Sequence, residues 1–248
     1  MKIGILGSGD VATTLAGGFV KHGYQVTVGT GTPGKLVDWA KQNPSGLTGS
    51  FADAAAFGEL IVLAVKGKAA ADVLSLAGAV NLTGKAVIDA CNPIEDAPPV
   101  NGVLPFFTTY NESLMEKLQR EFAGAHFVKA FNSVGVPSMV NPQFKDGKPT
   151  MFICGNSEAA KNTVSGILHQ FGWETADMGN AEAARHRAAM HVVVHPRLYT
   201  QPVDSRVQAV DQVIQRTICL RRGCPLSFEP VASEDLPDEL RLHRYPGC

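Results

Sequence analysis

The chain has 248 residues, 45% of them hydrophobic and 18% charged, with a formal net charge of −1. That is enough apolar material for one large or two small domains, and a balance so near neutrality gives no basic field for nucleic acid or an anionic membrane. No apolar run approaches the length of a bilayer span, and five cysteines without a C-x-x-C spacing fit a reducing, cytoplasmic setting.

The opening thirty residues organise the rest. A short apolar run, Ile3 to Leu6, reaches Gly7-Ser8-Gly9-Asp10-Val11-Ala12, and a helical pattern with Val11, Leu15, Phe19 and Val20 then runs to His22-Gly23. This reads as strand, glycine turn and helix rather than as a secretion signal. Gly7 permits the turn and Gly9 allows a pyrophosphate near the backbone. Ala12 takes the small third position of G-x-G-x-x-G/A. Phosphate would rest on the helix N-terminus, where free N–H groups and the dipole favour an anion.

A second strand, Gln25 to Val28, leads into Gly29-Thr30-Gly31-Thr32-Pro33-Gly34-Lys35. NAD-binding chains usually carry an Asp or Glu here for the ribose 2′-hydroxyl, and none is present. Thr30, Thr32, glycine N–H groups and Lys35 could instead neutralise a 2′-phosphate, which favours NADP. Lys35 could equally begin a helix, Lys35 to Lys41, on its solvated face.

Further elements alternate along the chain. Phe51 to Phe57 reads as a helix, Leu60 to Val65 as a strand buried on both faces, and Ala69 to Ala77 as a helix after Lys66-Gly67-Lys68. The strand Ala86 to Cys91 ends in Asn92-Pro93, residues 94–110 form a long loop, and Asn111 to Glu121 is a helix. A sixth strand, Ala125 to Ala130, ends in Phe131-Asn132-Ser133. Both Val65-Lys66-Gly67 and Asn92-Pro93 lie where open parallel sheets bind ligands, so their backbone is expected to face the nicotinamide half.

After the polar segment Lys145 to Pro149 comes a smaller unit. It comprises a strand, Thr150 to Cys154, a helix, Ser157 to Gln170, and a strand, Trp173 to Asp177. The expected fold class is α/β, a Rossmann-type doubly wound parallel sheet ordered 3-2-1-4-5-6. The expected domains are an NADP-binding domain at 1–145, an extension of the same sheet at 146–185 and a tail at 186–248.

Taken together, Gly7-Ser8-Gly9-Asp10-Val11, Val28-Gly29-Thr30, Ala64-Val65-Lys66-Gly67, Asn92-Pro93, Val128 to Gly135 and Met151 to Gly155 resemble the NADPH-dependent coenzyme F420 reductase family over roughly residues 1–185. The resemblance implies hydride transfer between NADP and the deazaflavin F420, or a flavin in relatives. It carries Ser8, Gly9, Asp10, Val11 and Thr30 to the coenzyme, and Val65, Asn92, Pro93, Phe131 and Asn132 to the surroundings of the two rings. It also implies a homodimer closed in part by the C-terminal segment. The family usually has an Arg where this chain has Gly31, which weakens discrimination between NADP and NAD. Alternative readings are an NADPH-dependent reductase of a flavin, ferric chelate, carbonyl or imine, with Lys66 or Lys129 as proton donor, and a non-catalytic NADPH-binding protein.

The resemblance stops after Arg185. His186, His191 and His195 include an i, i+4 pair, but the rest of a zinc site is not evident. Back-translating His186 to Gln212 and reading one base later allows IEPLCMLWCIPGFIRNQWTHAFKLLIR followed by a stop, which resembles the family's usual terminus. Residues 186–248 are therefore expected to be a frameshift product, poorly packed and disordered beyond about Leu226.

Overall fold

The computed structural model describes residues 1–101, 103–144 and 147–185. The expectations for residues 186–248, the histidine group included, and for residues 145 and 146 of the polar segment lie outside that range.

Six parallel strands form the main sheet in the order β3-β2-β1-β4-β5-β6. They are β1 (Lys2–Leu6), β2 (Gln25–Gly29), β3 (Leu47–Gly49), β4 (Leu60–Leu63), β5 (Ala86–Asp89) and β6 (His126–Lys129). The order matches the doubly wound expectation, and the chain direction across the sheet reverses between β1 and β4. The strand β3 has no apolar run to announce it. Its three residues pair with Thr27, Val28 and Gly29 at an edge, and Leu47 is largely exposed.

Seven helices accompany the sheets among the described residues: α1 (Asp10–Lys21), α2 (Val37–Gln42), α3 (Phe51–Phe57), α4 (Ala70–Ala77), the single turn α5 (Ala79–Leu82), α6 (Leu114–Glu121) and α7 (Glu158–Gln170). Strand residues alternate between two cores. Ile5, Val28, Val62, Ile88 and Val128 share one with Leu15, Phe19 and Trp39, whereas Leu6, Ile61, Leu63, Val87 and Phe127 share another with Leu74, Met115 and Leu118. A continuous apolar strand is what a sheet covered on both faces requires, and each such side chain contributes about 1.5–3 kcal/mol on burial.

Local chemistry sets the helix starts. Ser113 caps α6, accepting from the Glu116 N–H while the Glu116 carboxylate accepts from the Ser113 N–H, so the helix begins at Leu114 and not at Asn111. Ser50 and Asp53 make the same reciprocal cap on α3. Pro33 opens a tight 3-10 turn, Pro33–Leu36, and α2 follows it only from Val37.

The unit after residue 146 departs from the expected extension of the same sheet. Its strands β7 (Thr150–Ile153) and β8 (Glu174–Asp177) form a separate parallel pair. It meets β6 through one antiparallel bridge, where the Lys129 N–H donates to the Cys154 carbonyl at 2.9 Å. A single bridge makes no ladder, so the pair stands as its own sheet. The helix α7 anchors the unit instead, with Ile167, Leu168 and Phe171 in the α1-side core and the Phe171 ring 4.9 Å from that of Phe19. The segment read as a loop at 94–110 is partly a hairpin: Ile94 bridges Phe106 and Val100 bridges Val103. Lys66 and Lys68 pair with Asp96 and Glu95 at its base.

Candidate functional site

The turn after β1 sits at the reversal point of the sheet. Gly7 has φ +142°, and a Cβ there would lie 2.2 Å from the Ala64 carbonyl oxygen of the β4 exit, so only glycine fits. Gly9 is exposed, no side chain caps the twelve-residue helix that it starts, and a Cβ added to it would meet nothing within 4 Å. The first N–H groups of α1 therefore open onto free space beside an uncapped helix end, and this geometry fits a pyrophosphate. Ser8 is half-buried, Asp10 exposed, and Val11 packs partly against the α1-side core.

Thr30 joins this turn to the end of β2. Its Oγ1 donates to Ser8 Oγ at 3.0 Å and accepts from the Thr32 N–H at 3.0 Å, while its own N–H donates to the Gly49 carbonyl. An open groove of about 520 Å³ runs alongside, lined by Thr30, Gly31, Thr48, Ser50, Phe51 and Leu76 among others. It offers hydroxyls and no carboxylate, as suits a 2′-phosphate better than a 2′-hydroxyl. Gly31 lines this groove, whereas Lys35, exposed on the 3-10 turn, is not part of its wall.

Across the reversal point, the exits of β4, β5 and β6 lie side by side. Gly67 is packed so closely under β5 that a Cβ would fall 2.2 Å from the Asn92 carbonyl oxygen. Asn92 Nδ2 donates to the Asn132 carbonyl at 2.9 Å, and Asn132 Nδ2 reaches Asn92 Oδ1 at 3.4 Å. Pro93 is buried, Val65 is half-buried, and Lys66 is exposed. Phe131 has φ +62° and is 1% exposed; its ring lies in the core 6.3 Å from Phe171, so the part of it nearest a ligand is backbone. The structure thus brings together Asn92, Pro93, Phe131 and Asn132 at one edge, and Gly7, Ser8 and Thr30 at the neighbouring one.

Beneath the Asn92 and Asn132 pair lies a buried charge cluster. Lys129 Nζ donates to Asp89 Oδ2 at 2.9 Å and to the Cys91 carbonyl at 2.5 Å. The other Asp89 oxygen accepts from the Cys91 N–H at 2.9 Å. Burial, with the Asp89 charge beside it, pushes the Cys91 thiol well above its ordinary range, so it stays protonated and inert. The sequence offers Lys129 only as a possible proton donor, yet its side chain is 4% exposed and engaged on both sides. Its pairing was legible: Asp89 and Lys129 are lone charges in apolar strands that the expected sheet order makes neighbours. The groove residues Ser50 and Phe51 were missed too, although Ser50-Phe51-Ala52-Asp53 carries the spacing of a reciprocal cap.

Among the described residues no group of three or more His, Cys, Asp or Glu could hold a metal, and no helix is long and apolar enough to cross a membrane.

Residues 2–93 match the family described as NADP oxidoreductase, coenzyme F420-dependent. The sequence is 32% identical over 202 residues to metalloreductase STEAP3 of Rattus norvegicus, and 27% identical over 186 residues to metalloreductase STEAP2 of Homo sapiens. These alignments take in 79% and 75% of this chain but only 37% and 34% of the relatives, so the chain spans about a third of their length. The fold of an imine reductase from Myxococcus stipitatus solved with NADP+ is similar at 16% identity, with a TM-score of 0.59 over 91% of this chain and 68% of that one. A crystal structure from Arthrobacter sp. FB24, provisionally assigned as an F420-dependent NADP reductase, is 33% identical with a TM-score of 0.74, and the match covers 78% of this chain and 91% of that one. With nine-tenths of that reductase matched at one-third identity, the chain belongs to the F420-dependent NADP oxidoreductase family.

Proposed function

We propose that this chain transfers a hydride between NADP(H) and a deazaflavin such as F420, or a flavin-like acceptor. The observation that carries the reading is the pairing of an open, uncapped Gly9 turn on one side of the reversal point with a wall of backbone and carboxamides on the other. NADPH held there would supply a hydride to the acceptor, leaving NADP+, with a solvent proton completing the reduced acceptor.

Such chemistry asks the protein mainly for position. Gly7, Ser8, Gly9, Asp10 and Val11 would seat the pyrophosphate on α1, with Thr30 and its neighbours beside the 2′-phosphate. Val65, Asn92, Pro93 and the Phe131–Asn132 backbone would border the rings. Lys129 is committed to Asp89 and Cys91, which leaves exposed Lys66 as the candidate proton donor for a carbonyl or imine substrate.

The similarity to metalloreductases favours a second reading, in which a flavin receives the hydride and passes electrons to a ferric chelate. The experiment is NADPH oxidation by the purified chain with F420, with FMN, and with FMN plus ferric citrate, beside fluorescence titrations with NADPH and NADH. F420 turnover is expected. Iron reduction only with FMN present would select the second reading, and NADPH binding without turnover on any of these acceptors would overturn both.

A further inference from the structure

The Asp89–Lys129 pair is more than the fold requires. The ladder at this edge is already closed by backbone bonds, with the Ala90 N–H on the Leu63 carbonyl and the Ala130 N–H on the Asp89 carbonyl. A buried ion pair adds little stability over apolar side chains of similar size. One residue further on, the chain leaves the ladder. The Cys91 N–H turns back to the Asp89 carboxylate and the Cys91 carbonyl is taken by the Lys129 ammonium. The next two residues are Asn92 and Pro93, and the Asn92 carboxamide then binds the Asn132 backbone. Beyond the Pro93 carbonyl, which accepts from the Phe107 N–H at 3.0 Å, the exit of β5 is therefore held by side chains, and of these Asp89 and Lys129 are the buried charged ones.

We propose that Lys129, together with Asp89, is the positioning pair that fixes the Asn92–Pro93 and Asn132 backbone against the nicotinamide half of the coenzyme. The pair touches neither coenzyme nor acceptor. It acts through the Cys91 backbone, whose N–H and carbonyl, in two successive peptide groups, it holds at 2.9 and 2.5 Å. Lys129 also donates its backbone N–H to Cys154, so the same residue ties the β7–β8 unit to this edge. The inference rests on the reading of the glycine turn as the coenzyme site.

The test is a double variant, Asp89→Leu with Lys129→Met, which replaces both charges by apolar groups of similar volume and leaves no unpaired ion. Binding of NADPH is compared with binding of adenosine 2′,5′-bisphosphate, which lacks the nicotinamide half. The expected result is bisphosphate affinity within about twofold of wild type and NADPH affinity weakened about tenfold. Amide exchange in the unliganded protein should accelerate at residues 91, 92 and 131–133 and not at residues 7–12. Unchanged affinity for both ligands, or equal loss of both, would overturn the proposal. Should the variant not fold, Asp89→Asn with Lys129→Met keeps the cap on the Cys91 N–H, removes the clamp on its carbonyl and is read by the same comparison. A wild-type chain that binds neither ligand would sink the coenzyme-site reading itself. Wild-type binding with an unaffected variant would sink only the positioning role.

Discussion

At position 31 the groove proposed for the coenzyme meets a residue without a side chain. A Cβ there would touch only the Phe51 ring, at an ordinary 3.5 Å, so the backbone accepts a larger residue without displacement. Gly31→Arg would place a planar fork of donors beside Thr30 and Ser50, a geometry that suits phosphate better than hydroxyls do. The expected outcome is a rise of about tenfold or more in the NADPH over NADH preference, roughly what one charge-assisted contact contributes. Paired titrations with the two coenzymes check it, and an unchanged ratio would place the 2′-phosphate elsewhere. The fingerprint glycines were legible in sequence because their geometry has few alternatives, as the approach of Gly7 to Ala64 illustrates. The role of Phe131 was not, because nothing in the sequence tells whether a ring beside a strand end turns to a ligand or to Phe171 in the core.

Among the elements, α6 depends on one carboxylate used twice. Glu116 closes the cap with Ser113 and receives the Arg185 guanidinium, with Nε at 2.9 and 3.0 Å from its two oxygens. The Arg185 bond, aided by those of Ser113, holds the Glu116 carboxyl at about 2, against an ordinary 4.5. A depressed folded value means that the stabilisation is fully present above pH 4.5 and is lost as the pH falls through about 2. Glu116→Gln is expected to destabilise the protein by about 1–2 kcal/mol at neutral pH, allowing for solvent around the partly exposed guanidinium. Urea unfolding should show that gap closing on acidification, and a gap independent of pH would remove the ion pair as its cause. The hairpin at Ile94 to Phe106 is the element whose signal was overlooked. Val100-Asn101-Gly102-Val103 carries the Asn-Gly pair that favours a two-residue turn, and Asn101 has φ +51°. The three prolines of the segment, Pro98, Pro99 and Pro105, masked it by breaking the alternation that strands usually show.

For the whole molecule, alternation of apolar strands with helices was enough to give the order of the main sheet, since right-handed crossovers leave few ways to arrange it. It could not show that β7 and β8 stand apart, because the bridge from Lys129 to Cys154 depends on chain direction at one contact and leaves no periodic trace. The residues assigned to the coenzyme all lie between Gly7 and Asn132, within the described sheet and its exits. A chain ended after Arg185 keeps all of them and is therefore expected to bind NADPH within about twofold of the full-length affinity. Loss of binding in a truncated chain that remains folded would assign residues 186–248 a part in the coenzyme site. Re-reading the encoding DNA tests the frameshift proposal separately: a coding sequence with no base shift near codon 185 that restores the apolar terminus excludes it. The division of strand residues between two cores has a longer reach. Ile61 and Val62 are neighbours in the chain yet belong to different interiors, so the sheet acts as a partition between two packing problems. Sequence drift among the α3, α4 and α6 contacts can proceed without renegotiating those of α1 and α7, and descendants of this chain can remodel one layer while inheriting the other unchanged.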